Sequence, residues 1–147
     1  MRVQSLLRIL LGLEETRVLD LHFDDTGLVV DVAPRWHLPR CSECEEPGPS
    51  YDRDRGRGWR HLDLAGMMLH LRYDIRRVDC PRCGVKVERV PWAETSSKFT
   101  RAFEDHVGYL AQRSDKTTVS ESMRIAWGTV GAIIQPYIAL ASAQPIN

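Results

Sequence analysis

Apolar and polar positions along this chain change period several times, and each change predicts an element. Val3, Leu6, Leu7, Leu10 and Leu11 recur three and four residues apart, which predicts an amphipathic helix ended by Gly12. The period then shortens to two. Leu19, Leu21 and Phe23 alternate with Asp20, His22 and Asp24, Asp25-Thr26-Gly27 makes a turn, and Leu28, Val30 and Val32 return, so residues 18–33 read as a hairpin closed by Ala33-Pro34. Residues 45–58, with Pro or Gly every few positions, read as loop. A second hairpin follows, in which Trp59 to Leu64 turns at Ala65-Gly66. Met67, Leu69, Leu71, Tyr73 and Ile75 lie on one face of its return strand, and His70, Arg72, Asp74 and Arg76 on the other. Residues 85–90 form a further short strand stopped by Pro91.

From Ser96 onward the pattern is helical. Phe103, Val107 and Leu110 share one face of a helix over about residues 101–112. Thr118 and Glu121 have capping-box spacing, opening a second, short helix that contains Val119 and Met123. After a break at Ile125-Ala126-Trp127, Val130, Ile133 and Ile134 fall on the inner side of a third helix, which Pro136 should end or kink. The reading is an α+β chain with two parts. Residues 1–95 hold the N-terminal helix, the hairpins and the cysteines, and residues 96–147 form a three-helix module with a helix-turn-helix outline.

Length and composition bound what such a chain does. At 147 residues, with 43% apolar and 27% charged positions, it has the composition of an ordinary globular protein. No run of about 18 apolar residues exists to span a membrane. Arg8 interrupts the apolar start and Gly12-Leu13-Glu14-Glu15 is a poor cleavage site, so the N-terminus reads as helix rather than signal peptide, in a cytoplasmic protein. The net charge of zero is unevenly spread: five Lys/Arg against nine Asp/Glu in residues 1–50, twelve against seven in 51–101, and three against four thereafter. A basic middle suits phosphate neutralisation and equally a solvated surface. The acids Glu14, Glu15, Asp20, Asp24, Asp25 and Asp31 read as a solvated face.

All four cysteines fall in Cys-x-x-Cys pairs, Cys41 with Cys44 and Cys80 with Cys83, the latter followed by Gly84. Two intervening residues let both thiolates of a tight turn face one ion, and glycine supplies the backbone angle such a knuckle needs. Two knuckles complete a tetrahedral set of soft donors, suited to one structural zinc ion with no open coordination position for catalysis. The 35 residues between the pairs exceed the commonest spacing of roughly 15–20, but a hairpin fits inside. Two disulfides, a rubredoxin-like iron site and a thioredoxin-like redox motif are the rivals. They are disfavoured by the reducing cytosol, by the helix-turn-helix outline and by the lack of a βαβ context respectively. His37, His61 and His70 are assigned no role, His61 and His70 being read as surface or half-buried strand residues.

The strand Arg76-Arg77-Val78-Asp79 running into Cys80-Pro81-Arg82-Cys83-Gly84, followed downstream by Trp127-Gly128-Thr129-Val130, resembles the N-terminal part of the ISL-three family of insertion-sequence transposases. The resemblance covers most of residues 5–135. In that family a zinc ribbon and a helix-turn-helix precede a DDE catalytic domain. The resemblance implies zinc ligation by Cys41, Cys44, Cys80 and Cys83 and binding of double-stranded DNA at transposon ends. It implies that Trp127, Thr129 and Val130 begin the recognition helix. Val130 faces inward by period, so Thr129, Trp127 and Arg124 are the candidates there for touching DNA, while Trp127 reads equally as a core aromatic plugging the turn. Arg76 and Arg77, among the arginines of the ribbon that also include Arg53, Arg55, Arg57, Arg60 and Arg72, are the candidates for phosphate contact.

Only about a dozen residues follow Gln135, too few for a DDE domain, so the expectation is a truncated, non-enzymatic chain, associated with the bacterial nucleoid when bound to DNA. A homodimer or an intact transposase is the expected protein partner. A small zinc-ribbon transcriptional regulator and a protein-interaction module remain the alternatives.

Overall fold

The computed structural model describes the backbone of residues 2–143 and the side chains of residues 2–136. Among the described residues the elements run α1 (Val3–Leu10), β1 (Thr16–Asp24), β2 (Gly27–Pro34), β3 (Ser50–Leu64), β4 (Met67–Cys80), β5 (Gly84–Val87), α2 (Arg101–Ala111), α3 (Lys116–Met123) and α4 (Trp127–Ala143). The chain is thus α+β with four helices. It divides into two compact units, Met1–Thr100 and Arg101–Asn147. Residues 96–100 stay with the sheet, because the Arg60 N–H donates to the Lys98 carbonyl and the Thr100 N–H to that of Arg60.

In the first unit the sheet order is β1-β2-β4-β3, with β5 pairing the far end of β4. The hairpins β1–β2 and β3–β4 are antiparallel. They join through a short parallel pairing, Leu28 to Asp31 against Leu69 to Arg72. Ala65 at φ 52° and Gly66 at φ 78° make the two-residue β3–β4 turn, both central residues in the left-handed region that a primed turn needs. At the β1–β2 turn the Asp24 carboxylate accepts from the Thr26 and Gly27 N–H groups. A side chain on Gly27 would put its Cβ 2.4 Å from the Met68 carbonyl oxygen, so only glycine fits.

β4 is the spine, and it serves two cores. Leu69, Leu71, Tyr73 and Ile75 face the main core with Val30, Val32, Trp59 and Trp92. The Trp92 ring meets Trp59 and Tyr73 edge-on, at 5.3 and 5.5 Å between centroids. Beyond Ile75 the covered face switches. Arg76, Val78 and Cys80 are buried while Arg77 and Asp79 are exposed, because the cysteine loops cross the opposite side of the strand. Gly48 passes so close there that a Cβ would come 2.9 Å from the Val78 side chain.

Three expectations about this unit are corrected. Residues 50–58, read as loop, are the first part of β3: they pair with β4 from Ser50↔Val78 to Gly58↔Arg72, and bulges absorb the extra residues. This is an edge segment, nearly all of it exposed, so no apolar alternation marks it. His61, read as surface or half-buried, is 2% exposed. One ring nitrogen lies 2.9 Å from the carbonyl oxygen of Leu11, just past α1, and the other 2.8 Å from the Thr100 hydroxyl. Finally, α1 ends as expected, with Gly12 at φ 65° and its N–H donating to the Ile9 carbonyl, but of the expected stripe only Leu7 and the C-cap residue Leu11 pack on the core. Val3, Leu6, Ile9 and Leu10 are exposed.

In the second unit Phe103, Val107, Val119, Met123, Val130, Ile133 and Ile134 are buried, as the helical period implies. The start of α3 differs from expectation. The N-cap is Asp115, whose carboxylate accepts from the Thr118 N–H at 2.7 Å, so Thr118 lies inside the first turn instead of capping it. Arg124 ends α3 in the left-handed conformation, φ 54°, and the Ser120 hydroxyl donates to the Ile125 carbonyl across the turn. Pro136 does not end α4, which continues to Ala143. A proline removes one backbone donor, and the rest of the ladder carries the helix past it.

Candidate metal centre and nucleic-acid interface

Two turns bring the four cysteines together. In the first, the Cys41 N–H donates to the Glu46 carbonyl and the Glu45 N–H to the Cys41 carbonyl, with Glu45 at φ 65°. In the second, Cys80 ends β4 and Gly84 at φ 81° opens β5. A left-handed residue therefore follows the second cysteine of each pair, tightening both turns.

The four Sγ atoms all lie within 4.8 Å of one another. Cys44 and Cys80 Sγ are 3.5 Å apart, and all four cysteines are free thiols; a disulfide would require about 2.05 Å. Sulfurs placed tetrahedrally at about 2.3 Å around zinc are about 3.8 Å apart, so the cluster has the size and donor chemistry of that ion's site. Cys41 and Cys80 are buried against Val78, and Cys44 and Cys83 are half-buried. Thiols this close resist joint ionisation. Burial and the neighbouring sulfurs push Cys83 up to about 12, whereas N–H groups of Arg82 and Cys83 draw Cys80 down to about 7. A divalent cation held by Cys41, Cys44, Cys80 and Cys83 would relieve this conflict by stabilising all four as thiolates.

A feature the sequence reading missed anchors the site. The Glu88 side chain is fully enclosed and takes the Tyr73 hydroxyl at 2.8 Å, the Arg76 backbone N–H, and the Arg76 guanidinium through both carboxylate oxygens at 3.0 Å. The same guanidinium donates to the His37 carbonyl. Glu88 also pairs by backbone with Cys41, and the Arg89 N–H donates to the Arg40 carbonyl at 2.8 Å. Lys86 and Arg89 reach Glu43 and Glu45 on the first turn, at 3.1 and 3.5 Å. The first knuckle is thereby tied to the strand that carries the second. The signal available in sequence was one acid, Glu88, in an otherwise apolar and basic strand.

The residues expected to meet DNA fall in different settings. Arg76 is 8% exposed and its guanidinium is engaged by Glu88 and the His37 carbonyl, which leaves it little surface to offer a phosphate. Arg77 is exposed, ion-paired with Asp52 and set 5.2 Å from the Tyr51 ring centre. In the second unit Arg124 is exposed at the turn, Trp127 is exposed at the start of α4, and Thr129 is half-exposed one residue before buried Val130. Trp127 does not plug a core: it is 57% exposed, and the Lys116 ammonium lies 4.7 Å from its ring centre. Of the other basic candidates, Arg60 is buried and bound to Asp63. Arg72 pairs with Asp31, balancing the charge of an Asp20, His22 and Asp31 cluster. Arg57 lies 5.1 Å from the Trp59 ring centre.

Two family models match. The zinc-finger of transposase IS204/IS1001/IS1096/IS1165 covers residues 37–83, spanning all four cysteines. The helix-turn-helix domain of transposase family ISL3 covers residues 88–138. The chain is also 43% identical over 143 residues to the transposase for insertion sequence element IS1557 from two strains of Mycobacterium tuberculosis, CDC 1551 / Oshkosh and ATCC 25618 / H37Rv; the match takes in 91% of this chain and 32% of the relative in each case. The chain thus spans about a third of the length of the curated relatives it matches. No solved structure matches it. No described helix is long and apolar enough to cross a membrane.

Proposed function

We propose that this chain, which carries the zinc-finger and helix-turn-helix domains of ISL3-family transposases and fits an N-terminal portion of such a protein, recognises double-stranded DNA at transposon ends. In this reading Cys41, Cys44, Cys80 and Cys83 hold one structural zinc ion, which fixes the ribbon and performs no chemistry. Strand transfer is assigned to none of these residues. The second unit reads DNA through the start of α4, where recognition helices present side chains to base edges. Thr129 offers a hydroxyl and Trp127 an apolar face there, with Arg124 and Arg77 supplying phosphate contacts. A second copy or an intact transposase is the protein partner, and the complex is cytoplasmic and nucleoid-associated.

The observation that carries this reading is the turn between α3 and α4: a left-handed Arg124 followed by an exposed Trp127 and a half-exposed Thr129, in the segment matched by the helix-turn-helix model. The test is fluorescence anisotropy with a duplex carrying the inverted-repeat end and with a scrambled duplex. The native chain is expected to prefer the end, and Thr129→Ala to reduce that preference roughly tenfold, the worth of one base-edge contact. Equal affinity for both duplexes, unchanged by Thr129→Ala and Trp127→Ala, would overturn the reading.

A further inference from the structure

The first fifty residues carry a net negative charge, yet the structure sorts that charge. A hollow of about 580 Å³ opens between α1 and β1. Arg2 at the N-cap of α1, Arg8 within it, Arg17 on β1 and Arg35 just after β2 all line it, and no acidic side chain does. These are four of the five basic residues in that stretch; the fifth, Arg40, stacks 4.0 Å from the Trp36 ring centre. None of the four makes an ion pair among the described residues. The Arg17 Nε donates to the Pro34 carbonyl, a bond that aims the side chain and leaves its charge uncompensated. Four guanidiniums drawn from three segments around one concave wall repel one another unless an anion lies between them.

Arg17 also lines a second hollow of about 600 Å³, where β1–β2 and β3–β4 splay apart beyond their short parallel pairing. Arg53, Arg55 and Arg72 stand on its wall, interspersed with Asp20, Asp31 and Asp74. The two hollows meet at Arg17 and Leu19. The fully basic one leads into one of mixed charge, a shape suited to a linear polyanion and not to a single small ion.

We infer that the α1–β1 hollow is a second nucleic-acid contact, in which Arg8, Arg17 and Arg35 grip successive phosphates of a DNA backbone independently of sequence. This rests on the proposal that the chain binds DNA, and assigns part of the affinity to a unit other than the one that reads bases. Guanidinium forks match phosphate oxygens in planar pairs, which is why arginine suits this task. An anionic lipid surface is the competing polyanion, because Val3, Leu6, Ile9 and Leu10 are exposed on the same helix. Arg17 on β1 and Arg35 just after β2 lie off the helix that carries those apolar side chains, and residues 88–138 match a helix-turn-helix domain, so nucleic acid is favoured.

The test compares the full chain with an Arg8→Gln, Arg17→Gln, Arg35→Gln variant on the transposon-end and scrambled duplexes across a salt series. Far-UV circular dichroism verifies the fold; should the triple variant fail it, the single variants Arg17→Gln and Arg35→Gln replace it. Losing three phosphate contacts should flatten the slope of log K against log salt by about 2.7, or about 0.9 for each single variant, and weaken binding by on the order of a hundredfold at low salt. Preference for the end over the scrambled duplex should stay as in the native chain. An unchanged slope, with native DNA binding intact, would overturn the inference and leave the function reading standing. So would variant-sensitive binding to phosphatidylserine vesicles with unaltered DNA affinity. A native chain that binds neither duplex would sink the function reading, and the inference with it.

Discussion

Glu88 and Arg76 form a buried, two-pronged ion pair, the carboxylate wholly enclosed and the guanidinium side chain 10% exposed. Both groups have surrendered hydration, so their mutual bonds offset a cost that neither bears alone. Glu88→Gln should therefore destabilise the first unit by about 3–5 kcal/mol, the usual consequence of leaving one charge of such a pair unmatched. Urea denaturation followed by the fluorescence of buried Trp59 and Trp92 measures it. A loss under 1 kcal/mol would mean that the pair is not closed in solution.

Removing metal should act on the ribbon and spare the second unit, whose helices have their own buried side chains. The native protein is expected to carry one zinc per chain by elemental analysis, and Cys80→Ser none. Chelator should lower the unfolding midpoint seen by the buried tryptophans while helical circular dichroism largely persists. Full stability in metal-free protein would refute a structural ion.

His61 makes the first unit acid-sensitive. Burial holds its pKa below the ordinary 6.5, and burial also lowers His70. A histidine kept neutral by folding stabilises the native state above the unfolded-state value. Below it the unfolded chain binds the extra proton, and stability falls until the depressed native value is passed. The unfolding midpoint should therefore decline as pH drops below about 6.5, more gently in His61→Gln, whose amide still offers a donor toward Leu11. Identical slopes in both proteins would exclude His61 as the source.

At the start of α3 the Asp115 carboxylate accepts from the Thr118 hydroxyl and N–H, and these bonds lower its pKa. Its support is present above the ordinary carboxylate value of 3.8 and is lost as pH falls below it. Asp115→Ala should reduce both the helical signal and the unfolding midpoint of the second unit, and Asp115→Ser should restore most of each. If Thr118→Ala had the larger effect, the cap would lie where the sequence spacing first put it.

The parts legible in the sequence were those whose physics is local. Strict alternation from Met67 to Ile75 announced β4, because a strand with one covered face has no other way to be written. The paired cysteines announced a metal-sized cluster because two-residue spacing is a turn's geometry. What escaped was set by long-range partners. Ser50 to Gly58 is polar on both faces and becomes a strand only because β4 offers it hydrogen bonds. Arg76 looked solvent-facing by alternation, and only the arrival of Glu88 and of the loop around His37 turned that face into an interior. The four arginines between α1 and β1 sit in the most acidic third of the chain, so counting charge along the sequence concealed them.

The short parallel seam between β2 and β4 bears on how this chain reaches its fold. Each pair in it, from Leu28↔Leu69 to Asp31↔Arg72, joins positions 41 residues apart. The two hairpins close locally, on a timescale of about 1–10 μs, but the seam forms only after a long search that earns nothing until it ends. The cysteine pairs lie within and just beyond the stretch that must be looped. An ion held by both knuckles would tie residues 41–44 to residues 80–83 and so shorten the loop that this seam must close. Refolding of the first unit should then be faster with zinc present than in chelator, as stopped-flow tryptophan fluorescence would read.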